Sequence, residues 1–198
     1  MAFYRFFNLF LDVRFSKAKY SIENTQKITD WNEDIQVFIS LLKKKELFKR
    51  TKKTYQWIAS YPWIKTDTIT KKNAKTYYFS SYAKSFHNDF YVIKNAKTNK
   101  IEAVINISIK NQQMKVPYLY SLDTGIDTAK KLLLHLAKKH KVKHITIYDK
   151  RLNNSMQGVF IIKKKFVQTY FVTKAITQKF PQISSYEIQT GDGDGVFT

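Results

Sequence analysis

The strongest constraint on the fold is a change in hydrophobic period near residue 123 of the chain. Before that point, residues 85–122 contain three runs rich in aromatic and β-branched residues, and turn-forming segments separate them. Such runs are typical of strands joined in an antiparallel meander. After it, residues 126–141 place Ala and Leu at helical spacing, and residues 144–149 form another short strand-like run. A strand, a helix and a strand in succession indicate a parallel βαβ unit, so the sequence predicts an α/β domain with a mixed, mostly antiparallel sheet flanked by helices.

Shorter elements are predicted on both sides of this centre. On the N-terminal side they are a strand at 19–26, a helix at 31–45 capped by Asp30, and a helix at 50–61 that must stop at Pro62. On the C-terminal side they are a helix at 152–166 and strands at 167–176 and 185–190. Pro117 lies inside the third run of the meander, where it indicates an edge position, a bulge or a break in pairing.

Length, charge and cysteine content exclude several classes of protein. The 198 residues suit one domain, and the absence of Cys excludes a disulfide scaffold, a thiolate zinc site and a cysteine nucleophile. It also fits a reducing compartment, so we expect a cytoplasmic protein. The net charge of +20 favours polyanionic partners, although a Lys-rich composition also arises in AT-biased genomes. Basic clusters interleave with aromatic residues around 43–78, yet we expect these aromatics to lie in the core and nucleic-acid binding to be the weaker interpretation.

The first 18 residues are predicted to be separate from the domain at 19–198. Their aromatic residues follow a helical stripe, which predicts an amphipathic helical segment or connector. Such a segment can pack on the domain itself, bind a partner domain or a second copy, or lie on a membrane surface. No apolar stretch is long enough to span a membrane, and charged residues interrupt the run too early for a signal peptide.

The predicted order of elements, β, α, α, β, β, β, α, β, α, β, β, resembles the GNAT superfamily of acyl-CoA-dependent N-acyltransferases across roughly residues 19–190. GNAT domains place a Leu-Leu pair in the helix after the fourth strand, then a strand, an Asn, and a helix that ends in Gly-Phe. Leu132-Leu133 matches the pair, Asn154 matches the Asn, and Phe166 falls where the Gly-Phe ends. Residues 47–64 and the closing GDGDGVFT look like a bacterial GNAT-like subgroup that is often built as tandem domains.

The resemblance implies an enzyme that moves an acyl group from acetyl-CoA or another acyl-CoA to an unknown amine, without a metal. It implies that Asn154 sits near the leaving thiol, and that Tyr148 and Tyr120 are the nearest candidates for the proton donor. It also implies a cofactor site that holds the pantetheine and pyrophosphate of CoA. The residues of that implied site are Leu119, Leu122, Thr124, Gly125, Ile126, Thr128, Ala129, Lys130 and Asn154.

Two of the family's motifs are altered in this sequence. Asp127 stands in the pyrophosphate-binding motif, where the family has small residues that expose backbone N–H groups to the phosphates. Ile161 stands where many GNAT enzymes have the tyrosine that protonates the leaving thiolate, and the motif Gly is Lys165. These departures favour the alternative of a catalytically silent GNAT-fold module, the second half of a tandem protein, in which Asp127 caps the helix.

Two further patterns indicate no chemistry of their own. His140 and His144 have a metal-like spacing, but the predicted helix ends between them and no carboxylate stands at a ligand distance along the chain. The Asp-Gly repeat that begins at Asp192 lacks the last ligand of a calcium loop, so it is interpreted as a surface turn. If it lay at an acceptor cleft, its carboxylates could instead hold an amine.

Overall fold

The computed structural model describes residues 22–60, 64–66, 81–159 and 171–192, which form a mixed α/β structure. A five-stranded, mostly antiparallel open sheet lies between helices on its two faces. The predictions for residues 1–18, for Ile161, for Lys165-Phe166 and for the last six residues fall outside the described part of the chain.

Seven strands are described. The main sheet has the order β1-β4-β5-β6-β7, and the short strands β2 and β3 pair with each other in parallel. Within the main sheet only β6 and β7 are parallel, and the helix Ile126–Lys139 connects them as the sequence predicts. The strands are β1 (Thr25–Lys27), β2 (Ile64–Lys65), β3 (Ser81–Tyr82), β4 (Phe86–Lys94), β5 (Ile101–Lys110), β6 (Gln113–Ser121) and β7 (His144–Thr146).

Five α-helices are described, together with 3-10 turns at Asp123–Gly125 and Pro181–Ser185. The helices are α1 (Glu33–Leu41), α2 (Lys52–Ser60), α3 (Ile126–Lys139), α4 (Lys150–Ser155) and α5 (Lys174–Lys179).

Buried side chains of the long strands point alternately to the two faces of the sheet, so a separate hydrophobic cluster forms on each face. On β5, Ile105 and Ile107 pack with Leu132 and other residues of α3, whereas Val104 packs with the cluster that contains Tyr55 of α2 and Trp31. Side chains of a strand point alternately to its two faces, so one strand contributes to both clusters. The predicted inner positions of α2, Tyr55 and Ile58, are buried, and so are the predicted Leu positions of α3.

The N-terminal elements are shifted from their predicted positions. The first strand is Thr25–Lys27 rather than 19–26. Asp30 does not cap α1: the side chain of Asn32 accepts a hydrogen bond of 3.1 Å from the N–H of Ile35, and the helix begins after it. The helix ends at Leu41 rather than at 45, because Lys43 has a left-handed backbone (φ 47°) that stops helical hydrogen bonding.

The predictions for the C-terminal part are wrong where it is described. Helix α4 begins at Lys150 and ends at Ser155, before most of the predicted range of 152–166. The last part of the predicted strand 167–176 belongs instead to α5. No strand forms at 185–190: a single bridge joins Glu46 and Glu187, and the chain then turns. That turn closes because Asp192 accepts from the N–H of Gln189 and donates its own N–H back to the carbonyl of Gln189.

Pro117 marks a bulge in β6, one of its three predicted meanings. The register between β5 and β6 shifts where Asn106 pairs with Tyr118 but Ser108 pairs with Lys115, so β6 carries one additional residue. An irregularity of this kind bends the strand and ends regular pairing. The bulge therefore separates an N-terminal half of β6 from a C-terminal half that faces a different environment.

Candidate functional site: a cleft at the carboxyl end of β6

The parallel strands β6 and β7 pair only at their first residues. Gln113, Met114 and Lys115 pair with residues 144–146, and the described chain shows no pairing between the two strands beyond Lys115. The C-terminal half of β6 therefore presents an edge without a strand neighbour on that side. In open α/β sheets, ligands bind in the crevice outside the carboxyl ends of parallel strands.

A cleft of about 440 Å³ lies at this end of the sheet, a volume within the range of small-molecule sites. Its polar wall combines cations with carboxylates, and two leucines provide apolar surface. The lining residues are Leu42, Lys44, Ser121, Leu122, Asp123, Asp149, Arg151 and Glu187.

The loop between β6 and α3 forms one wall of the cleft. Gly125 lies in this loop with its Cα so close to β5 that a Cβ would stand 2.7 Å from the carbonyl oxygen of Glu102. No side chain caps α3, and Asp127 is an exposed residue of its first turn rather than the predicted cap. The 3-10 turn leads directly into α3, and the N–H groups of Gly125 and Ile126 donate to the carbonyls of Leu122 and Asp123. The positive end of the α3 dipole therefore lies next to the loop that lines the cleft, where it favours an anion.

Arg151 of α4 joins two walls of the cleft. Its Nη1 atom donates to the carbonyl oxygen of Ser121 at 3.1 Å and to Oδ1 of Asp123 at 2.8 Å. Asp149 caps α4 by accepting from the N–H of Leu152 at 3.0 Å, and it lies 3.5 Å from Nη2 of Arg151. The Asp123 side chain is 88% exposed, so water screens its pair with Arg151 and the guanidinium can exchange partners.

Lys44 closes the inner end of the cleft. Its Nζ atom donates to the carbonyl oxygen of Leu119 at 3.0 Å and lies 3.7 Å from a carboxylate oxygen of Glu187. The same ammonium group stands 5.6 Å from the ring centre of Tyr120. The Lys44 side chain therefore separates the cleft from the backbone of Leu119 near the C-terminal end of β6.

Gln189 occupies the other backbone group of Leu119. The N–H of Leu119 donates to Oε1 of Gln189 at 3.0 Å, and Nε2 of Gln189 donates to Oε1 of Glu46 at 2.6 Å. Both edge-facing backbone groups of Leu119 are thus bound by side chains of this chain.

A buried ionic cluster lies behind Gln189. Arg50, with 4% of its side chain exposed, forms ion pairs with Glu46 and Asp192. Tyr120 donates to Glu46 at 3.1 Å and accepts from Arg50 at 3.1 Å and from Tyr55 at 2.8 Å. Burial raises the pKa of Tyr55 to about 12 and raises the pKa of Tyr120 further.

The sequence reasoning missed this cluster. The Asp-Gly repeat predicts a surface turn at Asp192, yet the side chain of Asp192 is only 3% exposed. The available signal was the i, i+4 spacing of Glu46 and Arg50, the spacing at which opposite charges pair.

The structure brings some of the predicted site residues together and separates others. Tyr148 and Asn154 are exposed, whereas Tyr120 is 1% exposed and its hydroxyl forms hydrogen bonds with Glu46, Arg50 and Tyr55. The raised pKa of Tyr120 makes it a poor proton donor. The remaining predicted residues follow the end of β6 into α3, and of these only Leu122 lines the cleft. They are the buried residues Leu119, Gly125, Ile126 and Ala129, the half-buried Thr128 and Lys130, and the exposed Leu122 and Thr124.

The histidines do not form a metal site in the described residues. His87 of β4 and His140 pack together with ring centres 4.4 Å apart, but no third ligand completes a group. Helix α3 ends at Lys139 with His140 as its C-cap, so it ends just before the two histidines rather than between them as predicted.

Comparisons with known protein families, with curated proteins and with solved structures find no match for this chain. None of the helices in the described ranges is long and apolar enough to cross a membrane.

Proposed function

We propose that this chain is a GNAT-like N-acyltransferase that moves an acyl group from acyl-CoA to an amine. The observation that carries the proposal is the cleft at the carboxyl end of β6, beyond its last paired residue and next to the loop that leads into α3. A crevice at the carboxyl ends of parallel strands suits a ligand, and a helix N-terminus suits its phosphates.

In the proposed reaction, a neutral amine attacks the thioester carbonyl. The new C–N bond forms as the C–S bond breaks, the amine loses a proton, and CoA leaves as the thiol. Such a reaction needs mainly positioning and polarisation of the carbonyl. The N–H of Leu119 is the proposed polarising donor, and Tyr148 is the proposed proton donor to the thiolate.

The proposed cofactor contacts begin at the cleft wall and continue into the first turns of α3. The loop and first turn from Leu122 to Lys130 would hold the pyrophosphate, and Arg151 would release Asp123 to meet a phosphate. Asn154 is placed near the leaving thiol on the resemblance alone. The exposed carboxylate of Asp127 opposes anion binding there, which predicts weak affinity for CoA.

The second candidate is a catalytically silent module of the same fold. The observation that favours it is Gln189, which already occupies the N–H of Leu119. Such a module would act through a partner domain and would not bind acyl-CoA.

Calorimetric titration with CoA and acetyl-CoA at near-physiological salt separates the two candidates. We expect saturable binding that becomes about three- to tenfold tighter in Asp127→Asn, because removing one adverse charge near a phosphate changes the binding energy by roughly 1 kcal/mol. Asp34→Asn is the matched control, since Asp34 is also an acidic residue in the first turn of a helix. If neither the natural chain nor Asp127→Asn releases or absorbs heat at millimolar ligand, the acyltransferase proposal is contradicted and the catalytically silent module remains.

A further inference from the structure

The two edge-facing backbone groups of Leu119 carry a complementary pair of side chains. An acceptor oxygen from Gln189 lies 3.0 Å from the Leu119 nitrogen, and a donor nitrogen from Lys44 lies 3.0 Å from the Leu119 oxygen. A neighbouring strand or an extended ligand would offer the same pair of groups through its backbone amides. The two side chains therefore occupy the place of an amide-bearing ligand.

The segment that carries Gln189 is anchored independently of this side chain. The N–H of Gly191 donates to the carbonyl of Pro117 at 2.9 Å, and the hydroxyl of Tyr118 donates to the carbonyl of Gly191 at 2.5 Å. Backbone bonds between Glu187 and residues 45 and 47 hold the other end. Rotation of the Gln189 side chain away from Leu119 would therefore leave the backbone anchors in place.

Opening at this point would lengthen the cleft. Lys44 lines the cleft and ends at Leu119, and Gln189 lies on the other backbone group of the same residue. If both side chains leave Leu119, the cleft extends to the backbone of Leu119 near the C-terminal end of β6. An extended chain that enters from the cleft would then meet one free donor and one free acceptor.

We propose that Gln189 and Lys44 form a side-chain gate on Leu119, and that an extended, amide-bearing ligand must displace the gate to bind. This proposal rests on the proposed function, because the pantetheine arm of acyl-CoA is an extended chain that carries secondary amides. The described conformation is then the closed state. The gate lowers the apparent affinity for the ligand, because only the fraction of molecules with the gate open can bind it.

The test compares Gln189→Ala with the natural chain in CoA titration and in NMR-detected amide exchange. Gln182→Ala is the matched control, because Gln182 lies exposed in the neighbouring 3-10 turn. We expect Gln189→Ala to bind CoA about three- to tenfold more tightly, since a neutral hydrogen bond contributes roughly 0.5–1.5 kcal/mol. We also expect the amide proton of Leu119 to exchange faster in this variant and to be protected again by CoA.

The possible results separate the gate from the proposed function. Unchanged exchange at Leu119 in Gln189→Ala would overturn the gate whatever happens with CoA. Equal CoA affinity in the variant and the natural chain would overturn the gate and leave the proposed function standing, whereas absence of binding in both would overturn both. If Gln189→Ala does not fold, the test uses the side-chain NH₂ resonances of Gln189 in the natural chain. The gate requires these resonances to shift when the chain is saturated with CoA. Unchanged resonances would contradict the gate.

Discussion

At the residue scale, Arg50 is a charged side chain that is almost fully buried. Its guanidinium is nearly inaccessible to water and neutralises two buried carboxylates, Glu46 and Asp192. Burying charges is unfavourable unless they are paired, so each carboxylate depends on the same cation. The cluster also attaches the C-terminal turn to the segment before α2.

Replacing Arg50 by Met should therefore be strongly destabilising. The substitution leaves two buried carboxylates without a counterion, and losing one partner of a buried pair costs about 3–5 kcal/mol of the free energy of unfolding. Urea denaturation at pH 7 measures this loss. Lys27→Met is the control, because its pair with Asp89 is 56% exposed on the lysine side and should contribute less than about 1 kcal/mol. Equal losses in the two variants would contradict the assigned importance of burial.

Local sequence predicted the backbone of the site better than its side-chain partners. The loop after β6 and the start of α3 lie where the change of period places them. The partners of Leu119 come from Lys44 and Gln189, which are 75 and 70 residues away along the chain. Periodicity reports which face of an element is buried, but it contains no information on which distant polar groups meet. Only the i, i+4 spacing of Glu46 and Arg50 carried a local signal.

At the element scale, the accuracy of prediction follows the strength of the pattern. The strands β4, β5 and β6 and the helix α3 have long periodic runs, and their positions agree with the prediction within a few residues. The segment 171–190 contains short runs of mixed character, and its tertiary contacts determine its structure. The β-branched and aromatic residues predict a strand at 185–190. Instead, Pro181 begins a 3-10 turn, and the Asp192 side chain closes a turn by accepting from the N–H of Gln189.

The contact between β4 and the end of α3 should make stability depend on pH. Burial and the neighbouring His87 lower the pKa of His140 below 6.5, with Lys139 acting in the same direction and Asp89 opposing. Below pH 6.5 the unfolded chain therefore binds this proton more readily than the folded chain does. The contribution is fully present above the unfolded pKa and is lost as pH falls through the lower folded pKa.

Replacing His140 by Gln removes this titration. We expect the free energy of unfolding of the natural chain to fall more steeply between about pH 7 and pH 5 than that of His140→Gln, because only the natural chain gains the histidine proton on unfolding. Urea denaturation across this range measures both slopes. His144→Gln is the control, since His144 is exposed. Parallel curves for the natural chain and His140→Gln would contradict the lowered pKa.

At the scale of the whole molecule, the large positive net charge opposes compact folding. The chain carries 35 basic and 15 acidic side chains, and folding brings this excess of +20 into a smaller volume. Repulsion among like charges destabilises a compact state. Several described ion pairs, such as Lys27–Asp89 and Arg151–Asp123, have exposed partners and can offset little of it.

Added salt should therefore stabilise this protein. Raising NaCl from about 0.01 M to about 0.15 M shortens the screening length from about 30 Å to about 8 Å, which weakens long-range repulsion more than it weakens close ion pairs. We expect the free energy of unfolding to rise by on the order of 1 kcal/mol, measured by urea denaturation at pH 7. The same comparison near the isoelectric point of about 9.9 is the control, because the net repulsion vanishes there and the gain should vanish with it. A fall in stability with salt at pH 7 would mean that attractive pairs outweigh the excess charge. The exposed pairs Lys27–Asp89 and Arg151–Asp123 would then be the first place to seek that attraction, since salt screens exposed pairs most, whereas the loss of stability in Arg50→Met should be similar at both salt concentrations.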